Sequence, residues 1–348
     1  MSRIDLALCA AAALALGAPA PAAATQFALP AGAREIGAVE TYVAAAGDNL
    51  LDLARRYDLG YTQLVAANPG IDPWRPGAGR VIRIPGYYLL PDGPRRGIVV
   101  NLAEQRLFYF PPGGHSVETF PVGTAVRGLD SPLGTTRVVA KLPHPTWYPP
   151  ASIRAERPDL PPAVPPGPDD PLGAYALALG WPGYLIHGTN KPDGIGRNVS
   201  HGCLHLYPED MARLYREVAV GTPVRVVDQA TEAQWVGDTL LVAVHPSKDD
   251  ADRLDSGESV TPSAPPDLVA RVAAAASYRA DDVDWAAVAR AGRERTGIPV
   301  RIATRAGDSR RDEPTAARLD RHRLSSILPA MRPARIRSAS AAASPPRR

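Results

Sequence analysis

The chain has 348 residues, 45% hydrophobic and 22% charged, a balance that excludes a collagen-like or wholly disordered protein. Its net charge of +3 is unevenly placed: residues 301–348 carry twelve Arg against four Asp or Glu, a local +8 that leaves about −5 for the rest. The basicity therefore belongs to a tail, and no nucleic-acid partner is expected.

The N-terminus has Arg3, an apolar run from Leu6 to Leu16 and a small-residue site, Ala22-Ala23-Ala24, before Thr25. This pattern predicts a secretory signal peptide over 1–24. A lipoprotein anchor is not expected at Cys9, because Leu8 is too bulky to precede a lipidated cysteine. No later stretch is apolar enough to span a bilayer. Cleavage would leave Cys203 as the one thiol of an exported chain, unable to form an internal disulfide.

Residues 40–86 read as strand, helix, helix, strand. The run "NLLDLARRYDL" carries an apolar stripe at Leu50, Leu51, Leu53, Ala54 and Tyr57, with Asp48 as the expected N-cap. Thr62 is the expected cap of a second helix that stops at Asn68-Pro69. "RVIRIP" closes the unit as a strand. With "GDNLLDLARRY", "LVAANPGI" and "GAGRVIRIP" in this order, the whole unit resembles a LysM domain. Asn49 departs mildly from the Ser or Thr more common there. The resemblance implies binding of N-acetylglucosamine-containing glycans by a groove of Gly47, Asp48, Asn49 and Leu50 facing Asn68, Pro69 and Ile71. A spacer with a weakened groove is the alternative.

From Gly97 the pattern changes to period two. "GIVVNLAEQRLFYF" reads as a hairpin, followed by strands at "VETFPVG", "TTRVVAKL", "PLGAYALAL", "YLIH", "SHGCLHL", "PVRVVD" and "DTLLVAVHP". One helix, "PEDMARLYREV", starts with Pro208 and the acids Glu209 and Asp210, which suit its positive end. Residues 97–246 are thus a mainly β, sandwich or barrel-like domain. The proline-rich segment 142–171 is either a lid or disordered. Residues 247–303 form a poorly defined extension, with a short helix and strand near "DVDWAAVARAGRERTGIPVRI". Residues 304–348 read as a disordered tail.

"YLIHGTNKPDGIGRNVSHGCLHLYPED" gathers three of the seven histidines and Cys203. His187, His201, Cys203 and His205 are chemically able to hold zinc, but their spacing is not that of common structural zinc sites. A nucleophilic site explains more: a thiolate needs a base, supplied by His187 or His201, and Gly202 lets the backbone approach a substrate. No metal or other cofactor is expected.

With His187 and "SHGC" thirteen residues apart, and "SPLGTTRV" and "DPLGAYALAL" before them, residues 97–246 resemble the L,D-transpeptidases with a YkuD-type catalytic domain. Together with the LysM unit they are similar to the Gram-negative periplasmic subgroup. The resemblance implies that Cys203 is the nucleophile and His187 the general base, oriented by the carbonyl of Gly188. It makes His201 a local electrostatic support and Ser200 a brace for the loop. The N–H groups of Gly202 and Cys203 would form the oxyanion hole. His205 departs from the Arg usual in the subgroup, which puts its substrate-binding role in doubt. The implied substrate is a peptidoglycan tetrapeptide stem, whose D-Ala leaves and whose acyl group passes to an amine. That amine belongs to a second stem, to an outer-membrane lipoprotein or to a free D-amino acid. The alternatives are a carboxypeptidase or amidase using water, and a non-catalytic wall-binding adaptor.

Overall fold

The computed structural model describes residues 25–261 and 263–305. The expected signal peptide and all but the first two residues of the expected tail lie outside the described residues. Among the described residues no helix is long and apolar enough to cross a membrane.

The main sheet has nine strands. Their spatial order is Thr25–Ala28, Ser116–Pro121, Arg106–Phe110, Gly97–Asn101, Pro223–Val227, Gly134–Pro143, Tyr175–Leu179, Leu185–His187 and Leu204–His205. Neighbours run antiparallel except at two places: Pro223–Val227 beside Gly97–Asn101, and Leu185–His187 beside Leu204–His205. The hairpin strands Gly97–Asn101 and Arg106–Phe110 are buried at every position. Alternation along a strand explains this, because successive side chains enter different cores. Ile98, Val100, Leu107 and Tyr109 pack with Met211, Leu214 and Val218 at the helix Pro208–Glu217. Val99, Phe108 and Phe110 pack instead with Leu50, Leu53, Leu64 and Ile82 of the βααβ unit.

That unit comprises strands Glu35–Val43 and Val81–Leu89, paired antiparallel, around helices Leu50–Arg56 and Tyr61–Ala67. Asn49, rather than Asp48, caps the first helix: its Oδ1 accepts the Asp52 N–H at 2.8 Å. Asp48 Oδ2 accepts from Tyr42 Oη at 2.8 Å and the Ala45 N–H at 2.7 Å, so it ties the preceding turn to its strand. Thr62 does not cap the second helix. Gly60 is its N-cap, and the Tyr61 and Thr62 N–H groups donate to the carbonyls of Ile195 and Gly196 at 3.2 and 3.1 Å.

The unit is therefore docked, not tethered. A Cβ on Gly196 would come within 2.2 Å of Gly60 Cα, and Gly196 has φ of +74°, so glycine is required on both counts. Arg55 pairs with Glu209 through two hydrogen bonds of 2.9 and 3.0 Å. Arg106, fully buried, donates to Thr119 Oγ1, the Asp58 carbonyl and Gln63 Oε1, and lies 4.3 Å from the Tyr88 ring centroid.

The strands Thr231–Val236 and Thr239–Val244, grouped by sequence with the 97–246 domain, pair with each other and with Val300–Thr304. Helices Leu268–Ala276 and Trp285–Glu294 cover this second sheet, with Leu240, Val242, Leu268, Val272, Val288 and Ile302 at its core. Residues 247–303, expected to be poorly defined, thus complete a unit that begins near Thr231. Strand pairing across more than fifty residues left no local signature.

Candidate active site

Leu185–His187 and Leu204–His205 end the main sheet, with Ile186 opposite Leu204 and His187 opposite His205. Ile186 and Leu204 are 0% and 2% exposed and enter the core. By alternation His187 and His205 share the other face, where their ring centroids are 4.4 Å apart. Gly123 and His205 exchange backbone hydrogen bonds of 2.9 and 3.0 Å, which protects the edge of the short strand.

His187 is buried, and its Nδ1 lies 2.6 Å from the carbonyl of Gly188. A carbonyl accepts only, so Nδ1 carries the proton and Nε2 is the free acceptor. Burial pushes the His187 pKa down to about 4, against the opposing pull of the Gly188 and Leu172 carbonyls. His205 is held well below the ordinary imidazole value, first by burial and then by His187 and His201. Both rings are neutral at pH 7, so His205 offers no charge in place of an arginine.

Cys203 is half-buried, and its Sγ lies 3.7 Å from the Gly183 carbonyl. Burial raises its thiol pKa, and the Leu185 backbone N–H opposes that rise. The pair at rest is thus a thiol and a neutral imidazole.

The turn before the cysteine is built by Ser200. Its Oγ donates to the Cys203 carbonyl at 2.6 Å and accepts the Gly202 N–H at 3.1 Å. The Gly202 N–H is therefore engaged inside the turn, which corrects its expected place in an oxyanion hole. The carbonyl of Gly202 accepts from Ser131 Oγ at 2.7 Å. Gly202 has φ of +113°, and a Cβ there would meet Tyr184 Cε1 at 2.8 Å. No other residue type fits this turn.

His201 points away from the core. It is exposed, and its Nε2 lies 3.0 Å from Glu156 Oε2. Glu156 ends the short helix Ala151–Glu156 inside the proline-rich segment. That segment is an ordered excursion, because Trp147 and Val164 exchange backbone hydrogen bonds of 2.9 and 2.8 Å. Its far end is fixed where buried Asp170 accepts the Leu172 N–H at 2.9 Å. Asn190 Nδ2 also donates to the Asp169 carbonyl at 3.0 Å. Sequence reasoning missed Glu156 and Ser131, since nothing in their local pattern points to a motif so far along the chain.

Of the expected glycan groove, Gly47 and Pro69 are exposed and Ile71 half-buried. Leu50 is fully buried in the core and is not available to a ligand. Asn68 is also buried: its amide donates to the Leu64 and Arg83 carbonyls and accepts the Arg83 N–H, each at 2.8 Å. It joins helix to strand, with both amide hydrogens and one lone pair of Oδ1 engaged. The groove edge instead carries Trp74, 54% exposed. The neighbouring Pro73 carbonyl accepts the Leu50 N–H at 2.7 Å, which sets Trp74 beside the Gly47–Asn49 turn.

Residues 95–226 match the L,D-transpeptidase catalytic domain family (YkuD), and residues 42–85 match the LysM domain. A probable L,D-transpeptidase YcfS of Escherichia coli K12 is 44% identical over 227 residues, covering 63% of this chain and 71% of the relative. A probable L,D-transpeptidase YbiS of the same strain is 37% identical over 290 residues, covering 81% and 93%. A probable L,D-transpeptidase ErfK/SrfK of Salmonella typhimurium is 35% identical over 283 residues, covering 79% and 89%.

Proposed function

Because the chain belongs to the family of L,D-transpeptidases with a YkuD-type catalytic domain, we propose that it is a cysteine-dependent acyl transferase acting on peptidoglycan tetrapeptide stems. The observation that carries this reading is the tautomer of His187. With Nδ1–H held by the Gly188 carbonyl, Nε2 is left as the basic nitrogen of the ring.

The Cys203 thiol gives its proton to His187 Nε2 as Sγ bonds to the carbonyl carbon before the terminal D-Ala. The Cys203 N–H remains to receive the developing oxyanion, since Ser200 holds the Gly202 N–H. The C–N bond then breaks, and His187 returns the proton to the leaving amine. An amine next attacks the thioester and gives its proton to His187, and the C–S bond breaks as the new amide forms. The second stem's amine and a lipoprotein lysine are both acceptors of the right chemistry.

The proline-rich segment reaches the motif at His201, which places it where it could act on the choice of acceptor. The LysM unit, docked on residues 195–196 of the motif loop, would hold glycan strands near that segment.

The test is incubation of the protein and a Cys203→Ala variant with tetrapeptide muropeptides, with products read by mass spectrometry. D-Ala release with amide-linked products is expected from the first and none from the variant. Release that persists in the variant removes the nucleophile assignment, and tripeptide alone assigns water as the acceptor.

A further inference from the structure

We propose that Glu104, Glu232 and His245 form a binding site for a divalent cation of the zinc type, joining the main sheet to the C-terminal unit. Glu104 lies in the turn between Gly97–Asn101 and Arg106–Phe110. Glu232 lies in Thr231–Val236, and His245 directly follows Thr239–Val244. One donor atom from each lies within 4.8 Å of the other two.

Burial separates this group from an ordinary surface cluster. The three residues are 5%, 7% and 6% exposed. Glu104 Oε1 and Glu232 Oε1 are buried with no hydrogen-bond partner among the described residues. Buried carboxylate oxygens are almost always satisfied, so two at one place point to a missing partner. The contacts that do exist are slack: Asn101 Nδ2 to Glu104 Oε2 at 3.4 Å, and His245 Nε2 to Glu232 Oε2 at 3.3 Å. Metal–oxygen and metal–nitrogen bonds of about 2 Å would draw these donors inward.

Charge points the same way. Two carboxyls share one buried place. The nearby Arg106 points its two terminal NH groups at Thr119, Asp58 and Gln63. Arg271 lies nearer the surface, with Asp267 and Asp92. A dication would neutralise two carboxylates, and an imidazole completes a donor set of the zinc type. One imidazole and two carboxylates suit zinc better than calcium, which takes six to eight oxygens.

Because the ligands come from two units, the cation would act as a clamp rather than as a catalyst. The test uses the full chain carrying Cys203→Ala, so that the active-site thiol contributes no ligand. After chelation and desalting, it is titrated calorimetrically with Zn²⁺ and, separately, Ca²⁺. We expect one Zn²⁺ per chain and no comparable uptake of Ca²⁺. At a hundredfold excess over Kd, a rise in Tm of about 5 °C is expected. Glu232→Gln and His245→Asn should each weaken binding at least tenfold.

X-ray absorption of the zinc-loaded parent keeps the test decisive if a variant fails to fold. A single imidazole with oxygen neighbours supports the site, whereas two or more imidazoles would assign the metal to the His187, His201 and His205 cluster and overturn it. No stoichiometric uptake, uptake unchanged in both variants, or equal affinity for Ca²⁺ would also overturn it. A shared proton between the two glutamates would then remain as the explanation of their proximity. Failure here leaves the transpeptidase reading intact, because that is read from D-Ala release.

Discussion

His187 and His205 face each other from paired parallel strands, with ring centroids 4.4 Å apart and planes inclined by 50°. A charge on His187 opposes one on His205, and burial disfavours the charged form of both. The His187 pKa is lowered to about 4, so its base form persists well below the usual imidazole range. We expect kcat/KM for D-Ala release to stay flat from pH 8 down to about 5 and to fall toward pH 4. An inflection near 6.5 would assign the base to a solvated histidine. Stability follows the same groups. In the unfolded chain His187 binds a proton below about 6.5, and in the folded chain only near 4, so stability is lost as pH falls through that window, and the lowered His205 acts in the same direction. For His187 the loss is on the order of 3 kcal/mol, measurable as a falling denaturation midpoint in urea.

Ser200 braces the nucleophile turn with one oxygen, donating to the Cys203 carbonyl and accepting from the Gly202 N–H. Ser200→Ala leaves both groups unpaired in a buried place, at about 1–3 kcal/mol. We expect kcat to fall roughly tenfold to a hundredfold with KM little changed, because the turn, not the substrate contact, is disturbed. Ser200→Thr keeps the hydroxyl and should recover most of the rate. A KM effect of the same size in Ser200→Ala would make Ser200 a substrate contact.

The motif residues were legible because their spacing is local: His187, Ser200, His201 and Cys203 fall within one short segment. The βααβ unit was legible for the same reason. What sequence could not reveal was set by tertiary neighbours. Asp48 and Asn49 are both good caps, and the Tyr42 hydroxyl and the Ala45 N–H, which engage Asp48, decide between them. Asn68 looked like a groove residue until the Arg83 backbone claimed its amide. Glu104 and Glu232 are brought together by packing between units, which no periodicity records.

The docking of the βααβ unit on the motif loop predicts that the two do not act as beads on a string. Gly196→Ala would force a Cβ onto the Gly60 backbone at a positive φ. We expect a lower Tm together with reduced D-Ala release, since residues 195–196 lie in the loop between His187 and Ser200. Arg55→Ala removes the partly exposed pair with Glu209 and the approach to the Tyr207 ring at 5.5 Å, and should change Tm by less than a few degrees. Equal effects of the two substitutions in differential scanning calorimetry would argue against docking as the cause.

The Glu156–His201 contact joins the proline-rich cover to the motif. Both side chains are substantially exposed, so its stability contribution is small. Its effect should fall on partition instead. With Glu156→Ala, we expect the ratio of tripeptide to amide-linked product to rise several-fold while total D-Ala release changes little. Mass spectrometry of the product mixture reads this directly. An unchanged ratio would remove the cover from acceptor selection.

Trp74 and Asn68 separate recognition from architecture in the βααβ unit. Trp74 is exposed beside the Gly47–Asn49 turn, with its ring centroid 6.1 Å from that of buried Tyr61. An indole held against a rigid neighbour offers an apolar face to a sugar at little entropic cost. Trp74→Ala should therefore reduce cosedimentation with insoluble peptidoglycan several-fold and leave Tm nearly unchanged. Asn68→Ala orphans the Arg83 N–H and the Leu64 and Arg83 carbonyls, so its effect should appear in Tm, with binding per folded molecule preserved. If Asn68→Ala abolishes binding without loss of stability, the amide contacts glycan after all and the groove expected from sequence is reinstated.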